Sequence, residues 1–337
     1  MDYNVFWFIL IVVLFTGFFF LEGFDYGVGT LLPWVSPRDE ERTQVIRTIG
    51  PVWDGNEVWM ITAGGAMFAA FPHVYATMFS TFYLALFLML VALILRGVAF
   101  ELRGHTRSIC RRRLWDGAIC FGSAVPAFLW GVAVTDLLAG LPIGENMAYR
   151  GDFFGLLSPV SILGGLAFLF VFAYHGAAFL TLRLTHTGLI LRIQSLGLRM
   201  ATLGTLTFLA WGVLLYQVTD LFATPWAVML LVLGALFFVM SGLSFSMAKG
   251  KAGFMLSSLA IVCTSVSLFV ALFPRLMVSS LNPAWSLTIT NAASTPYTLS
   301  VMTVAALVMV PIVLLYQGWC WYIFRHRVTP DDVKGTH

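Results

Sequence analysis

Two pairs of carboxylates, Glu22 with Asp25 and Asp54 with Glu57, stand at the adjoining ends of two apolar stretches. The three-residue spacing within each pair places both members on one face of a helix. An ionised group inside hydrocarbon costs about 2.5–3.5 kcal/mol on insertion scales, so such residues are functional candidates by default. Because burial and neighbouring like charges both disfavour ionisation, the four carboxylates predict a cluster that accepts and releases protons.

A structural role for the same residues is the alternative. Asp54 and Glu57 suit the N-terminus of a helix, where carboxylates meet unpaired backbone N–H groups. The acids could also pair with the arginines of the segment 38–47. For Glu57 the two interpretations stay open, whereas the apolar, glycine-rich surroundings of Asp25 favour a functional role.

Other charges near the membrane surface are expected to pair locally. Glu101 lies between Arg96 and Arg103, and Asp116 follows Arg113. We interpret both groups as interfacial ion pairs that take no part in chemistry.

One histidine, His175, lies deep in an apolar stretch and could bind haem iron. The five other histidines lie at the ends of stretches or in connections, so no second axial ligand is evident. We therefore expect His175 to be a hydrogen-bonded structural residue. The 4 cysteines form no CxxC pair and predict neither a disulfide framework nor a metal site. No metal and no cofactor bound by this chain is expected.

Transmembrane helices are the elements that must position these residues. The chain is 59% hydrophobic and 10% charged, whereas soluble domains are about 45–50% apolar and about 25% charged. A helix needs roughly 20 apolar residues to cross the hydrocarbon. About nine stretches qualify, near residues 4–24, 53–72, 76–100, 115–139, 158–183, 199–219, 225–247, 253–273 and 300–324. We expect an all-α integral membrane protein, with residues 1–324 as a single polytopic domain and 325–337 as a short tail.

A faint internal repeat suggests how these helices are grouped. The segments FFFLEGFDYG and FLFVFAYHG, in the first and fifth stretches, end alike. The repeat predicts two four-helix bundles plus one extra helix. The net charge is only +3, and the lipid bilayer rather than nucleic acid is the expected environment.

The basic residues set the orientation of the helices. With nine spans, 17 of the 19 Lys and Arg residues fall in or beside the odd-to-even connections and the C-terminal tail. Only Arg150 and Arg275 remain on the other side. Because cytoplasmic connections carry the excess of Lys and Arg, the sequence predicts an outside N-terminus and a cytoplasmic C-terminus.

Three segments carry a specific signature: TGFFFLEGFDYGVGTLLP at 16–33, GPVWDGNEVWMITAGGAMFAAFP at 50–72 and YLALFLMLVALILRGVAFELR at 83–103. In these segments the chain resembles subunit II of the cytochrome bd-type quinol oxidases. The segment YQGWCWYIFRHRV at 316–328 is similar to the last helix of that family. Residues 105–300 match the family in pattern only.

The resemblance implies an activity and partners. Oxidases of this family take electrons from a membrane quinol and reduce dioxygen to water in the bacterial cytoplasmic membrane. Two b-type haems and one d-type haem are held chiefly by the partner, subunit I, and the second subunit is needed to assemble them. The type of quinone and the presence of a small third subunit stay open.

The resemblance also assigns roles to residues. Two aspartates that the family associates with a proton route correspond to Asp25 and Asp54. Glu22 and Glu57 are added by their spacing alone, and Trp53 is expected at the subunit interface.

Two other functions fit part of the sequence. A secondary transporter also carries intramembrane carboxylates and repeats, but its helices should break near the middle of the bilayer. A purely structural subunit would use the acids as assembly pairs. We expect a subunit of the oxidase that supplies a cytoplasmic proton entry and is not catalytic alone.

Overall fold

The computed structural model describes residues 2–334, so residue 1 of the expected domain and residues 335–337 of the expected tail lie outside it. Two short strands, β1 (Arg275–Met277) and β2 (Leu287–Thr288), pair antiparallel. The remaining regular structure is almost entirely helical, which confirms the all-α fold. The α-helices are α1 (Tyr3–Val35), α2 (Asp39–Ile49), α3 (Trp53–Ala70), α4 (Pro72–Thr81), α5 (Tyr83–His105), α6 (Ile109–Ala139), α7 (Pro159–Arg183), α8 (Thr187–Val218), α9 (Pro225–Ser246), α10 (Gly250–Leu272), α11 (Pro296–Ile323) and α12 (Asp331–Lys334).

Within the described residues, eight helices, α1 and α5 to α11, are long and apolar enough to cross a membrane. The ninth stretch, expected at 53–72, forms α3, whose first turns carry Asp54, Asn56 and Glu57 and make it less apolar than the others. Helix α3 ends at Ala70, and α4 begins at Pro72 after the non-helical Phe71.

Helix α1 is longer than the sequence indicated. The stretch expected to end near residue 24 continues as helix to Val35, which makes α1 about 50 Å long at 1.5 Å per residue. Glu22 and Asp25 therefore lie inside a continuous helix, and the expectation that they stand at its end is wrong.

Helix α1 lies among α3, α6, α7 and α10, and glycines permit its closest contact. A Cβ atom on Gly27 would lie 1.9 Å from the carbonyl oxygen of Phe172 in α7. One on Gly176 would lie 2.4 Å from the backbone nitrogen of Val28. The backbones of α1 and α7 therefore touch, which fixes α1 against the rest of the bundle.

The other helices form two groups around this contact. Helices α3 and α6 pack with α1, α5 packs against α6, and α7 to α10 form a neighbouring set. Helix α11 packs on the outside against α1 and α3, and its buried residues are Leu299 and Thr303. This grouping agrees with the expected two bundles and one extra helix.

The two ends of the bundle are closed by different means. At one end the connections 140–158 and 273–295 interlock, and the Leu141 N–H donates to the Val278 carbonyl oxygen at 2.9 Å. The other end, which we call the arginine-rich end, comprises α2, the connections 106–108, 184–186 and 247–249, and the segment 324–330. There the chain after α11 reaches α7, where the Val328 N–H donates to the Arg183 carbonyl oxygen at 2.7 Å.

Candidate functional site

A wholly buried arginine, Arg96 of α5, is at the centre of the candidate site. Its guanidinium forms a salt bridge with Glu22 of α1, whose side chain is also wholly buried. Gly122 of α6 makes room for this contact, since a Cβ atom there would lie 2.6 Å from the Arg96 Cβ atom. Three helices therefore enclose a single ion pair within the bundle.

Aromatic rings surround the guanidinium of Arg96. Its central carbon lies 4.9 Å from the ring centroid of Tyr26, 5.6 Å from that of Phe100 and 5.9 Å from that of Trp53. The negative faces of such rings stabilise a desolvated cation. Trp53 therefore packs inward between α3 and α5, and its expected role at the subunit interface stays a prediction.

Asp25 is the second wholly buried carboxylate of α1, and its partners are amides. The side chain of Asn56 in α3 donates to Asp25 at 2.7 Å. The side-chain oxygen Oδ1 of Asn56 in turn accepts from the Gln317 side chain of α11 at 3.0 Å. One hydrogen-bond chain therefore connects α1, α3 and α11.

Several polar atoms around Arg96 have no hydrogen-bond partner among residues 2–334. They are Glu22 Oε2, Asp25 Oδ1, Tyr26 OH, Arg96 Nε and Arg96 Nη2. Unpaired buried polar atoms are rare and costly, and ordered water is their usual partner. The site therefore has the hydrogen-bonding capacity to hold water between its carboxylates.

The two acids of α3 continue the site toward the arginine-rich end. Glu57 is partly buried and close enough to Arg96 and Asp54 to interact electrostatically with both. Asp54 itself is exposed. We call Glu22, Asp25, Asn56, Glu57 and Arg96 the buried cluster, and Asp54 lies at its exposed edge.

Asp54 lies in the first turn of α3, where the structural alternative expects a carboxylate. The residue at the N-cap position of α3 is Val52, and neither Asp54 nor Glu57 forms a side-chain cap. Arg38 and Arg42 lie near other carboxylates. Arg38 is 3.8 Å from Glu41, and Arg42 is 2.8 Å from Asp116.

The expected interfacial pairs of Arg96 and Arg103 with Glu101 are wrong. Arg96 binds Glu22, and Arg103 binds Asp116 at 2.5 Å. Residues five apart on a helix do not share a face, so Arg96 and Glu101 point in different directions. Arg96 is the residue that sequence reasoning missed. Arg96 directly follows the apolar run 84–95, and this position could have predicted a buried acidic partner.

A second ionic group, which we call the end network, occupies the arginine-rich end. Asp39 of α2 accepts from Arg103 at 2.8 Å and from Arg112 at 2.6 Å. Glu41 accepts from Arg192 at 2.5 Å and from the Ser36 hydroxyl. By the end network we mean Asp39, Glu41 and Asp116 with Arg38, Arg42, Arg103, Arg112 and Arg192.

Glu41 lies outside the membrane-spanning helices, and its ionisation is favoured. Burial opposes the charged form, but hydrogen bonds from Ser36 and Arg192 outweigh burial and lower the pKa of the Glu41 carboxyl. Arg38 adds a further favourable charge. The network therefore holds Glu41 as a carboxylate that ties α2 to α8.

His175 is hydrogen-bonded, as expected. Its Nδ1 atom lies 2.7 Å from the Ser257 hydroxyl, and its ring stacks on Phe254 at 4.7 Å. The rings of Phe20 and Phe24 lie 6.1 Å away. The Nε2 atom of His175 has no hydrogen-bond partner among residues 2–334. Within residues 2–334 no group of three or more His, Cys, Asp and Glu side chains is placed to hold a metal ion.

A family model for cytochrome bd terminal oxidase subunit II matches residues 3–324. The chain belongs to this family. The match confirms the resemblance carried by the three N-terminal segments and extends it across the bundle, including the stretch 105–300 where the sequence matched in pattern only. In other members, subunit II is named as part of a ubiquinol oxidase.

Individual relatives agree with this membership. Cytochrome bd ubiquinol oxidase subunit 2 of Bacillus subtilis (strain 168) is 40% identical over 328 residues, which are 97% of this chain and 97% of the relative. Cytochrome bd-I ubiquinol oxidase subunit 2 of Escherichia coli (strain K12) is 37% identical over 378 aligned positions, covering 100% and 99% of the two chains. A chain of the bd oxidase from Geobacillus thermodenitrificans superposes with a TM-score of 0.76 at 19% identity, over 96% of this chain and 99% of that one, and shows the same fold.

Proposed function

We propose that this subunit II assembles with a haem-bearing subunit I into a quinol:oxygen oxidoreductase and provides its proton entry. The observation that carries the proposal is the graded burial of four carboxylates. Asp54 is exposed, Glu57 is partly buried, and Glu22 and Asp25 are wholly buried beside Arg96. Such a series leads from an aqueous surface to the interior of a bundle through groups that can each carry a proton.

The charge balance of the buried cluster supports proton uptake. Glu22, Asp25 and Glu57 would carry three negative charges when ionised, against the single positive charge of Arg96. An uncompensated charge is expensive in a low-dielectric interior. Binding a proton relieves this excess, and the unpaired oxygens of Glu22 and Asp25 are available to receive it.

The entry faces the cytoplasm in this proposal. Helix α3 begins after α2, so Asp54 is on the arginine-rich end of the bundle. The excess of Lys and Arg at this end supports an orientation in a bacterial cell membrane in which this end is cytoplasmic, the N-terminus is outside and the C-terminus is inside. Reduction of dioxygen consumes protons, and this route would draw them from the cytoplasm.

The partner subunit covers the exposed face of α3. Gly65 is exposed on this helix, and no atom lies within 4 Å of a Cβ atom built on Gly64 or Gly65. Small residues gain little from facing lipid, whereas they allow a second helix to approach closely. Subunit I would supply two b-type haems and one d-type haem and the quinol site, and this chain alone would not be catalytic.

The test is Asp25→Asn in the purified complex. We expect quinol-dependent oxygen consumption to fall about tenfold or more, because an amide cannot carry a proton, while the visible haem spectrum stays unchanged. The matched control is Asp220→Asn, which removes an exposed carboxylate paired with Arg275. Normal turnover of an assembled Asp25→Asn complex would eliminate the proton route.

The observed helix α1 does not favour the transporter alternative. Carriers place broken helices at their substrate site, whereas α1 is continuous from Tyr3 to Val35 through both of its carboxylates. Purification from the native membrane separates the two functions. A haem-bearing subunit should co-purify with the chain, and a colourless protein without a partner would support transport.

A further inference from the structure

An open cavity of about 580 Å³ lies at the arginine-rich end, away from the buried cluster. Three segments that are distant in sequence form its walls. They are the end of α7 with the start of α8, the turn between α9 and α10, and the chain that follows α11. The cations that line it are Lys249, Lys251 and Arg327.

Backbone contacts hold two of these segments in place. Ala248 adopts a left-handed conformation with φ of 58°, and the Lys249 N–H donates to the Ser244 carbonyl oxygen at 3.0 Å. This tight turn presents Lys249 and Lys251 together. On the facing side, Val328 is buried and bonded to Arg183, which fixes the adjoining Arg327 at the cavity.

The three cations have no anionic partner in the protein. Lys249, Lys251 and Arg327 are exposed, and none of their side chains forms a hydrogen bond or ion pair with any residue of the described range 2–334. This is unlike the end network on the same side of the bundle, in which every arginine meets a carboxylate. Three unmatched positive charges converging on one cavity indicate an anionic ligand.

The cavity offers further donors to such a ligand. Helix α10 has 23 residues, and Lys249 at its N-cap position provides no side-chain acceptor for the first N–H groups. These groups add partial positive charge at the cavity. The amide of Gln194 also lines the wall. Together they suit the oxygens of a phosphate group, which accept several hydrogen bonds at once.

The remaining wall of the cavity is apolar, which favours a phospholipid over a free phosphate ion as the ligand. Leu182, Ile190 and Met255 line the cavity, and Met255 is 56% exposed at the surface of α10. Charged groups at the rim and apolar side chains below them match an amphiphile in a bilayer. We propose that this cavity binds the phosphate group of an anionic phospholipid. The proposal does not depend on the proton route, since it uses none of the same residues.

The test is lipid binding by the full chain, purified with the subunits that accompany it, stripped of lipid in detergent and titrated with phosphatidylglycerol in native mass spectrometry. The variant Lys249→Gln/Lys251→Gln/Arg327→Gln should bind about tenfold more weakly than the unmodified protein. The matched control is Arg107→Gln/Arg111→Gln/Arg113→Gln. It removes the same charge from exposed residues at the same end that line no part of this cavity. The control should bind phosphatidylglycerol normally.

If both triple variants bind the lipid equally weakly, the attraction is general and electrostatic, and the proposed lipid site is wrong. The proposal is also wrong if all three proteins bind the lipid equally well. The single change Arg327→Gln provides a second measure that leaves the α9–α10 turn intact, and it should weaken binding by a smaller factor. Competition with inorganic phosphate identifies the source. Displacement of the lipid by phosphate would assign the cavity to the phosphate ion, and no displacement would assign it to the intact phospholipid.

Discussion

The buried cluster and the end network contain the same number of carboxylates but opposite balances of charge. In the end network, three carboxylates meet five arginines, and each carboxylate lies near at least two of them. In the buried cluster, three carboxylates share a single cation among residues 2–334, which is Arg96. The first arrangement has more cations than carboxylates and joins helices at the surface. The buried cluster has fewer cations than carboxylates, and it lies in the interior, where an unpaired charge costs most. Such an imbalance is typical of functional rather than structural groups.

The largest effect should come from removing the one cation of the buried cluster. Arg96→Gln leaves Glu22 without its counter-ion, and breaking a buried pair costs about 3–5 kcal/mol. We expect loss of most folded protein, measured as detergent-soluble yield and thermal unfolding temperature. Arg192→Gln in the end network is the comparison, and there the partly exposed pair with Glu41 should be worth at most about 1 kcal/mol.

A double variant separates charge from shape in this comparison. Adding Glu22→Gln to Arg96→Gln removes the unpaired carboxylate and should restore part of the yield. No restoration would show that Arg96 stabilises the bundle through its aromatic contacts rather than through its charge.

A smaller effect, on turnover, is expected at the exposed edge of the buried cluster. Asp54→Asn should slow oxygen consumption several-fold, because fewer protons enter the route. The effect should be moderate, because the interior carboxylates are unchanged. Its haem content and partner subunit should match those of the unmodified complex. If haem or partner is lost while the remaining intact enzyme turns over normally, Asp54 serves assembly, and the purely structural interpretation holds.

The hydrogen-bond chain from α11 should contribute less again. Gln317→Leu removes the donor to Asn56 and should cost about 1 kcal/mol of stability, which is typical for a single hydrogen bond. Differential thermal unfolding in detergent measures it. Asn56→Leu should cost more, because it also takes away the donor to Asp25. Equal costs would mean that the Asp25 bond adds nothing.

The smallest effect is a pH dependence confined to the end network. The pKa of Glu41 is lower in the folded protein than its usual value, about 4.3. Its contribution to stability is therefore complete above that value and is lost as the pH falls through the lower folded pKa. Glu41→Gln should flatten this part of the thermal unfolding profile between roughly pH 5 and pH 3. An unchanged profile would mean that Glu41 does not couple protonation to folding.

The sequence predicted the helices and the four acids better than it predicted the contacts between them. Apolar stretches and the three-residue spacing of Glu22 and Asp25 are local features, so they are visible in the chain itself. The extension of α1 to Val35 was missed because its final turns combine glycines with a proline at Pro33. Contact with α7 stabilises these turns, and local propensity does not predict such a contact.

The partners of the acids could not be predicted, for a related reason. Arg96 lies 74 positions from Glu22, and Gln317 lies 261 positions from Asn56. Neither spacing has a periodic signature. Asn56 and Gln317 are also neutral amides, whose residue types alone do not indicate a role in positioning a carboxylate.

The Asp25–Asn56–Gln317 chain has a consequence for the order in which the protein is made. Helix α1 emerges from the ribosome first and carries both of its carboxylates into the membrane. The counter-ion arrives only with α5, and the amide that completes the chain arrives with α11, near the end of translation. Until α5 is inserted, Glu22 of α1 lacks its counter-ion in a lipid environment that cannot replace it. Until α11 is inserted, the Asn56 side chain that holds Asp25 lacks its donor.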